Sequence, residues 1–439
     1  MLNRRPLGAA LAAILAGSAL AAPATAQDVS PAGRVGPDDP SGEISFMVFG
    51  DPAELEAYRT LVTTFEAANP AVDVALVEVP NMVEYRQRLG QDLAAGAPAD
   101  IVLINYRNQS AFSAKGQLLP LTDRLRASRV LSQTDFYPEA FDGFVWRDEV
   151  MCVPQNQSSL AVYLNLDLFA EAGVALPEAG WTWDDFLATA QALTKDTDGD
   201  GVVDQYGLGT EATLMRLAPF IWQNGGEVVN NPREPSALGV DSANAREAFQ
   251  WFVDLQAVHH VVPDAIAEEA EDSESRFLNG RTAMFLQSRR IVPSVRDVAF
   301  AWDVAPLPQR KEQADVLHAD GYCLPSASRN PDAAWALIEY ANSPEGQSVI
   351  ARTGRTVPSN QAVATSEAYL DPTQRPASAQ VWLDAIPTLR RFPPLMMWPD
   401  IEEIANAEIE RAFYGNGTVD EAIDAMMTLT RPYFAGAEA

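Results

Sequence analysis

The sequence predicts an α/β protein with mostly parallel sheets, folded as two lobes hinged around a ligand cleft. Three observations carry this reading. The 439 residues exceed what one compact core holds and point to two or three domains. Strand-like and helix-like runs alternate from residue 44 onward, the pattern of right-handed βαβ units and a mostly parallel sheet. The stretch Asp148 to Phe169, DEVMCVPQNQSSLAVYLNLDLF, interrupts a sheet pattern in the middle. A short strand ends at Val153-Pro154, the polar knot Gln155-Asn156-Gln157-Ser158-Ser159 follows, and a second strand runs from Leu160 to Leu166. Proline withholds a ladder donor, and the knot would leave amides inside a core. A chain crossing between lobes fits both features.

In chain order, Arg4 and Arg5 precede an apolar run from Leu7 to Ala22 that ends in Ala24-Thr25-Ala26. This is a secretory signal peptide over residues 1–26, cleaved after Ala26. Residues 27–40, rich in proline and glycine, are expected to form a flexible leader. Ile44 to Phe49 reads as a buried strand. Gly50-Asp51-Pro52 turns it into a helix, with Asp51 as cap and Pro52 at the first helical position. Leu55, Tyr58, Leu61, Val62 and Phe65 give that helix its apolar face, and Asn69-Pro70 stops it. Val72 to Val79, Met82 to Ala95 and Asp100 to Ile104 read as strand, helix and strand. Ligands of such sheets lie beyond the carboxyl ends of the strands, which places Phe49, Asp51, Asn105, Tyr106 and Arg107 at a cleft edge. Thr182 is expected to cap a helix entered by Trp181 and Trp183, both packing. Ala243 to Val258 and Pro331 to Asn342 are ordinary core helices, and Trp302 and Trp335 are read as core.

Composition narrows the function. The formal charge of −29 disfavours nucleic acid and anionic membranes as partners. No segment after the signal has about 18 consecutive apolar residues, and no cysteine follows the cleavage site, so no direct membrane anchor is expected. Two cysteines, Cys152 and Cys323, and three scattered histidines make a zinc site improbable. The sequence holds no G-x-S-x-G elbow, no HExxH and no phosphate loop.

The chain resembles the extracellular solute-binding proteins of ATP-driven importers, in the sugar-binding group that includes maltose-binding protein. The resemblance runs in order through Ile44 to Pro70, Ala97-Pro98-Ala99-Asp100-Ile101-Val102, Gly116 to Leu121, Val153-Pro154 through Asn165, Gly180 to Phe186 and Gln223-Asn224-Gly225-Gly226. It continues through Phe277 to Met284, Val304 to Pro308, Asn330 to Gly346, Arg355 to Pro358 and Thr418 to Ile423. It implies two discontinuous lobes, 41–154 with 324–372 and 155–323 with 373–439, closing on a ligand without chemistry. It further implies a periplasmic, monomeric protein that delivers a carbohydrate to membrane permease subunits. The resemblance places Cys323 on the return crossing, next to Cys152 before the first, and a disulfide between them is expected.

A pyranose offers apolar faces and a hydroxyl rim. Phe49, Tyr106, Trp222, Tyr322 and Trp398 are the expected stacking residues, with Trp222 foremost because it precedes a glycine pair. Asp51, Glu54, Asn105, Gln155, Asn156, Gln157 and Asn224 are the expected hydrogen-bonding residues. Arg107, Arg355 and Arg289, in Ser288-Arg289-Arg290, raise the prospect of an anionic sugar derivative, since guanidinium forks match carboxylate and phosphate; otherwise they pair with surface carboxylates. Asp196, Asp198, Asp200, the Val202 carbonyl and Asp204 match loop positions one, three, five, seven and nine of a calcium loop, and Gly201 falls at six. Gly207 stands where the bidentate glutamate belongs, so the expectation is weak structural Ca2+; Glu211 substitutes only if the chain folds back. The competing functional reading is an exported carbohydrate-active enzyme using a carboxylate pair.

Overall fold

The computed structural model describes residues 40–435. The signal peptide and all but the last residue of the leader lie outside the described residues. Strand β1 (Gly42–Phe49) buries Ile44, Phe46, Met47 and Val48, and helix α1 (Pro52–Ala68) covers it with the expected apolar face. The Asp51 carboxylate accepts the N–H groups of Ala53 and Glu54 at 2.9 and 3.0 Å, a cap that stabilises the helix by about 1 kcal/mol. Strand β2 (Val72–Val79) follows, then helix α2 (Met82–Ala95), capped by Asn81 and stopped by Gly96 at a φ of 69°. Strand β3 (Ile101–Asn105) leads directly into helix α3 (Tyr106–Ala114).

Strand β4 (Cys152–Pro154) ends the first sheet's contribution before the polar knot, and strand β5 (Leu160–Asn165) opens a second sheet. The second sheet adds β6 (Tyr206–Gly209), β7 (Thr282–Ser288) and β8 (Trp302–Ala305). Strand β9 (Asp320–Cys323) then returns to the first sheet, whose order is β2-β1-β3-β9-β4. The second is ordered β8-β5-β7-β6. The sheets are mixed, against the expectation of mostly parallel ones. β1 pairs in parallel with β2 and β3, while β9 runs antiparallel to both β3 and β4. In the second sheet only β6 and β7 are parallel. The chain order hides this because a returning strand looks the same in sequence whichever way it runs.

Each sheet has its own core. Helix α1 and helix α6 (Pro331–Asn342) pack with the first. Helices α4 (Leu214–Gln223), α5 (Ala243–Ala257), α7 (Trp398–Phe413) and α8 (Val419–Ala435) belong with the second. A third apolar cluster joins the second sheet through Tyr163, Phe285 and Trp302 to Ala351, Val357, Val363 and Tyr369.

One expected boundary moves. Return to the first lobe was expected at residue 324, but β9 already pairs with β3 from Asp320, so the crossing lies just before it. The first two crossings run side by side, with Val357 and Pro358 alongside them. Ser158 exchanges backbone hydrogen bonds with His318 at 2.7 and 2.8 Å, and the Gln157 N–H donates to the Val357 carbonyl at 2.9 Å. These bonds satisfy backbone amides of the buried polar knot, while both amide atoms of the Gln157 side chain are left without a partner.

Among the described residues no helix is long and apolar enough to cross a membrane.

Candidate ligand-binding site

A cleft of about 1120 Å³ opens between the two sheets, just above the roughly 300–1,000 Å³ usual for small-molecule sites. The first lobe supplies its wall from the carboxyl ends of β1 and β3, through Phe49 and Asn105, and from the crossing, through Gln155 and Asn156. The second lobe supplies Gln287 and Ser288 at the end of β7, Thr213 and Arg216 around the start of α4, and the first turns of α7.

Of the residues expected from sequence, Phe49, Glu54, Asn105, Arg107, Gln155, Asn156 and Arg355 line this cleft. Asp51 lines an adjoining recess of about 270 Å³ together with Arg290 and Arg355. Six others are buried elsewhere. Trp222 is packed against Phe392 at 5.8 Å, with the Arg390 guanidinium 5.0 Å from its ring. Trp398 also stacks on Phe392, at 5.0 Å. Tyr106 is buried, and its hydroxyl accepts the Phe392 N–H at 3.3 Å. Asn224 donates to the Asn244 carbonyl and to Glu247 at 2.7 and 2.9 Å. Gln157 is fully buried within the crossing. Arg289 is sandwiched between Tyr369 and Trp382, 4.3 and 4.6 Å from their rings. Tyr322 is buried too, directly beneath the cleft, where Gln155 donates to its hydroxyl at 2.9 Å and to that of Tyr58 at 2.6 Å. The arginine that reaches the cleft from Ser288-Arg289-Arg290 is Arg290. Residues 289–291 form a 3-10 turn after the strand, so consecutive side chains leave it in different directions.

No tryptophan lines the cleft among the described residues; its aromatic groups are Phe49, Tyr58, Tyr85 and Phe112. Charge dominates the rest. Arg107 is ion-paired with Glu402 of α7, a contact that spans the two lobes. Arg355 pairs with Glu54 and reaches Asp51 at 3.3 Å and the Arg290 carbonyl at 3.3 Å. Burial pushes the Glu54 carboxyl up to about 8, with Arg355 opposing and Asp51 and Asp320 adding to the rise. For Arg355, burial pulls downward, but Glu54 and Asp51 outweigh it and hold the pKa above its ordinary value. Gly50 permits this arrangement, since a Cβ there would fall inside the Glu54 carboxylate. Glu211 does not fold back to the acidic loop. It pairs with Arg216 at 3.1 Å and accepts from Gln287 at 2.9 Å; burial raises its pKa, but Arg216 and Arg290 reverse the sign.

Sequence reasoning missed Arg86, Arg216, Gln287, Arg290, His318, Asp320 and the α7 residues Asp400, Glu402, Glu403 and Asn406. Arg86 alone left a signal: it lies four residues after Met82 and three before Leu89, and all three line the cleft from one helix face.

In the acidic loop, Asp196, Asp198 and Asp204 bring one carboxylate oxygen each within 4.8 Å of one another. Asp200 stands apart and accepts the Val202 N–H at 2.8 Å. Hydrogen bonds from Thr197 hold the Asp204 carboxyl below its usual range. Cys152 and Cys323 form a disulfide across the facing strands β4 and β9, with 4.3 Å between their Cα atoms. Both strands belong to the first sheet, so the bridge pins the two crossings where they leave it.

Residues 50–348 match the model of the bacterial extracellular solute-binding protein family, and the chain belongs to that family. A binding protein of Brucella abortus is 23% identical over 397 residues, covering 87% of this chain and 91% of the relative. The mannitol-binding protein of Pseudomonas aeruginosa is 25% identical over 329 residues, covering 71% and 72%. Among solved structures, a substrate-binding protein of Listeria monocytogenes in complex with cycloalternan superposes with a TM-score of 0.82 at 22% identity, covering 89% of this chain and 99% of that one. The two-lobed solute-binding fold is common to both.

Proposed function

We propose that this protein is the periplasmic receptor of an ATP-driven importer, capturing a carbohydrate by lobe closure and delivering it to the permease. The observation that carries the proposal is the cleft itself. Asn105, Gln155 and Asn156 of one lobe face Gln287, Ser288 and Asn406 of the other, a set of donors and acceptors suited to a hydroxyl rim. Phe49 and Tyr85, 4.8 Å apart, offer an aromatic surface to an apolar sugar face. A buried polar group left unpaired costs about 1–3 kcal/mol, so only a ligand contacted from both lobes repays closure. Relatives that carry names for mannitol and maltotriose support the carbohydrate class.

The enzyme reading is disfavoured by membership of the solute-binding family rather than by the carboxylates of the cleft. Thermal unfolding with a panel of sugars tests both readings. Ligand at about 100 times its Kd raises stability by about 2.7 kcal/mol. Appearance of new reducing ends from an oligosaccharide would instead establish catalysis.

The monomeric state, export and loop calcium are part of the same proposal. Three carboxylates so close repel one another without a cation. A chelator is therefore expected to lower Tm, and elemental analysis finding no bound calcium, with Tm unmoved, would remove the metal.

A further inference from the structure

Most charged side chains on the cleft wall are tied in pairs. Arg107, Arg216, Arg290 and Arg355 each have a carboxylate partner. Arg86, Lys115, Asp400 and Glu403 form no ion pair among the described residues, but all four are exposed and they carry both signs, so together they ask for no charge on a ligand. Asp320 differs from them. It too has no ion pair among the described residues, yet it is half-buried at the start of β9, beside the crossings. Arg86 feels its charge from α2 without pairing with it.

Four hydrogen bonds fix Asp320 in place. Its carbonyl accepts the Gln155 and Asn156 N–H groups at 2.9 and 3.4 Å, and its own N–H donates to Asn156 Oδ1 at 3.4 Å. Its Oδ1 accepts from Asn105 Nδ2 at 3.1 Å, while Oδ2 has no hydrogen-bond partner among the described residues. An ionised carboxylate offers about four acceptor sites, and a side-chain amide two N–H donors. One acceptor site of Asp320 is therefore used. Asn105 gives one amide hydrogen to Asp320, and its Oδ1 is filled by the N–H and Nε of Arg107. Asn156 gives one amide hydrogen to Gln155 Oε1. Each asparagine keeps a second hydrogen, and all three residues line the cleft.

We propose that Asp320 is the residue that selects the ligand, accepting hydrogen bonds from two neighbouring hydroxyls of a neutral sugar while Asn105 and Asn156 donate to the same hydroxyls. This deepens the carbohydrate reading above and rests on it. A hydroxyl both donates and accepts, so a rigid carboxylate flanked by two amide donors meets both of its capacities. Bonds to an ionised acceptor are the strong ones, and a sugar lacking a contacted hydroxyl leaves them unmade. An ammonium group, with three donors and no acceptor, would satisfy the carboxylate but leave both amides unmatched.

Calorimetric titration of the full mature protein with glucose, galactose, mannose, mannitol and maltotriose finds the neutral sugar that binds, and its monodeoxy derivatives follow. Asp320→Asn keeps the acceptor that Asn105 uses and turns the free oxygen into a donor. It is expected to weaken that sugar about 10- to 100-fold, the range of a charge-assisted hydrogen bond, at unchanged Tm. Asp320→Ala is expected to lose a similar factor. The derivative lacking a contacted hydroxyl is expected to bind the native protein more weakly and to be indifferent to Asp320→Asn, a coupling that a merely structural role would not produce. Native-like affinity in Asp320→Asn, loss in Asp320→Ala alone, or equal weakening of every derivative overturns the inference and leaves the carbohydrate reading in place. Tighter binding of glucosamine than of glucose overturns it as well. Failure of every sugar with the native protein removes the carbohydrate reading itself.

Discussion

Glu54 concentrates the electrostatics of the cleft in one side chain. Its folded pKa of about 8 lies above the ordinary 4.5, so the folded state binds more protons than the unfolded state between those values. The stability contributed by the protonated form is full below the unfolded pKa and is lost as pH rises through the folded one. Asp315, pushed up to about 7 by burial, acts with the same sign. His318, whose folded pKa is depressed, acts oppositely, removing stability as pH falls below 6.5. Glu54→Gln is therefore expected to flatten the decline in urea midpoint between about pH 5 and 8; an unchanged slope would show that Glu54 does not titrate there. Trp222 teaches the converse lesson. A tryptophan ahead of Gly225-Gly226 reads as an exposed platform, but Phe392 and Arg390 arrive from 170 residues downstream to cover it. Trp222→Ala is expected to cost about 3–5 kcal/mol of stability, measured by denaturation, without altering ligand affinity in the folded fraction. Phe49 and Asn105 were legible because strand ends are local features, whereas burial of Trp222, Tyr106 and Arg289 is decided by distant partners.

At the level of elements, the early strands and helices were legible almost to the residue. Asp51 and Asn81 cap where capping chemistry says they should, and Thr182 forms a reciprocal capping box with Asp185. Strand β9 was assigned to the wrong lobe because nothing in Asp320-Gly321-Tyr322-Cys323 names the partner it pairs with. Its disulfide to β4 closes a loop of 171 residues. In the chain-entropy account a loop of that length is worth about 5 kcal/mol. Cys152→Ser with Cys323→Ser is expected to lower the denaturation midpoint by up to that amount, and an equal midpoint with and without reductant in the native protein would refute the contribution. Gly321 fits the same crowded corner, since a Cβ there would lie 2.9 Å from Phe144 and 3.1 Å from the Cys152 Cβ.

Over the whole molecule, the ion pair of Arg107 with Glu402 links the two lobes. Removing one partner leaves a poorly solvated charge behind, at about 3–5 kcal/mol for a buried pair and less for one partly open to solvent. Arg107→Gln is expected to shift the ligand-free protein toward a wider cleft, read as a larger radius of gyration in small-angle scattering. An identical scattering profile would assign the closed form to packing alone. The insertion of β9 between β3 and β4 has a further effect, which concerns time. A chain emerging from its N-terminus has β3 and β4 available early, but these do not touch each other in the finished sheet. The strand that joins them arrives only after the whole second sheet has been made. Until then β3 presents an unpaired edge, open to wrong pairing. The first sheet is thus begun first and completed only after the second.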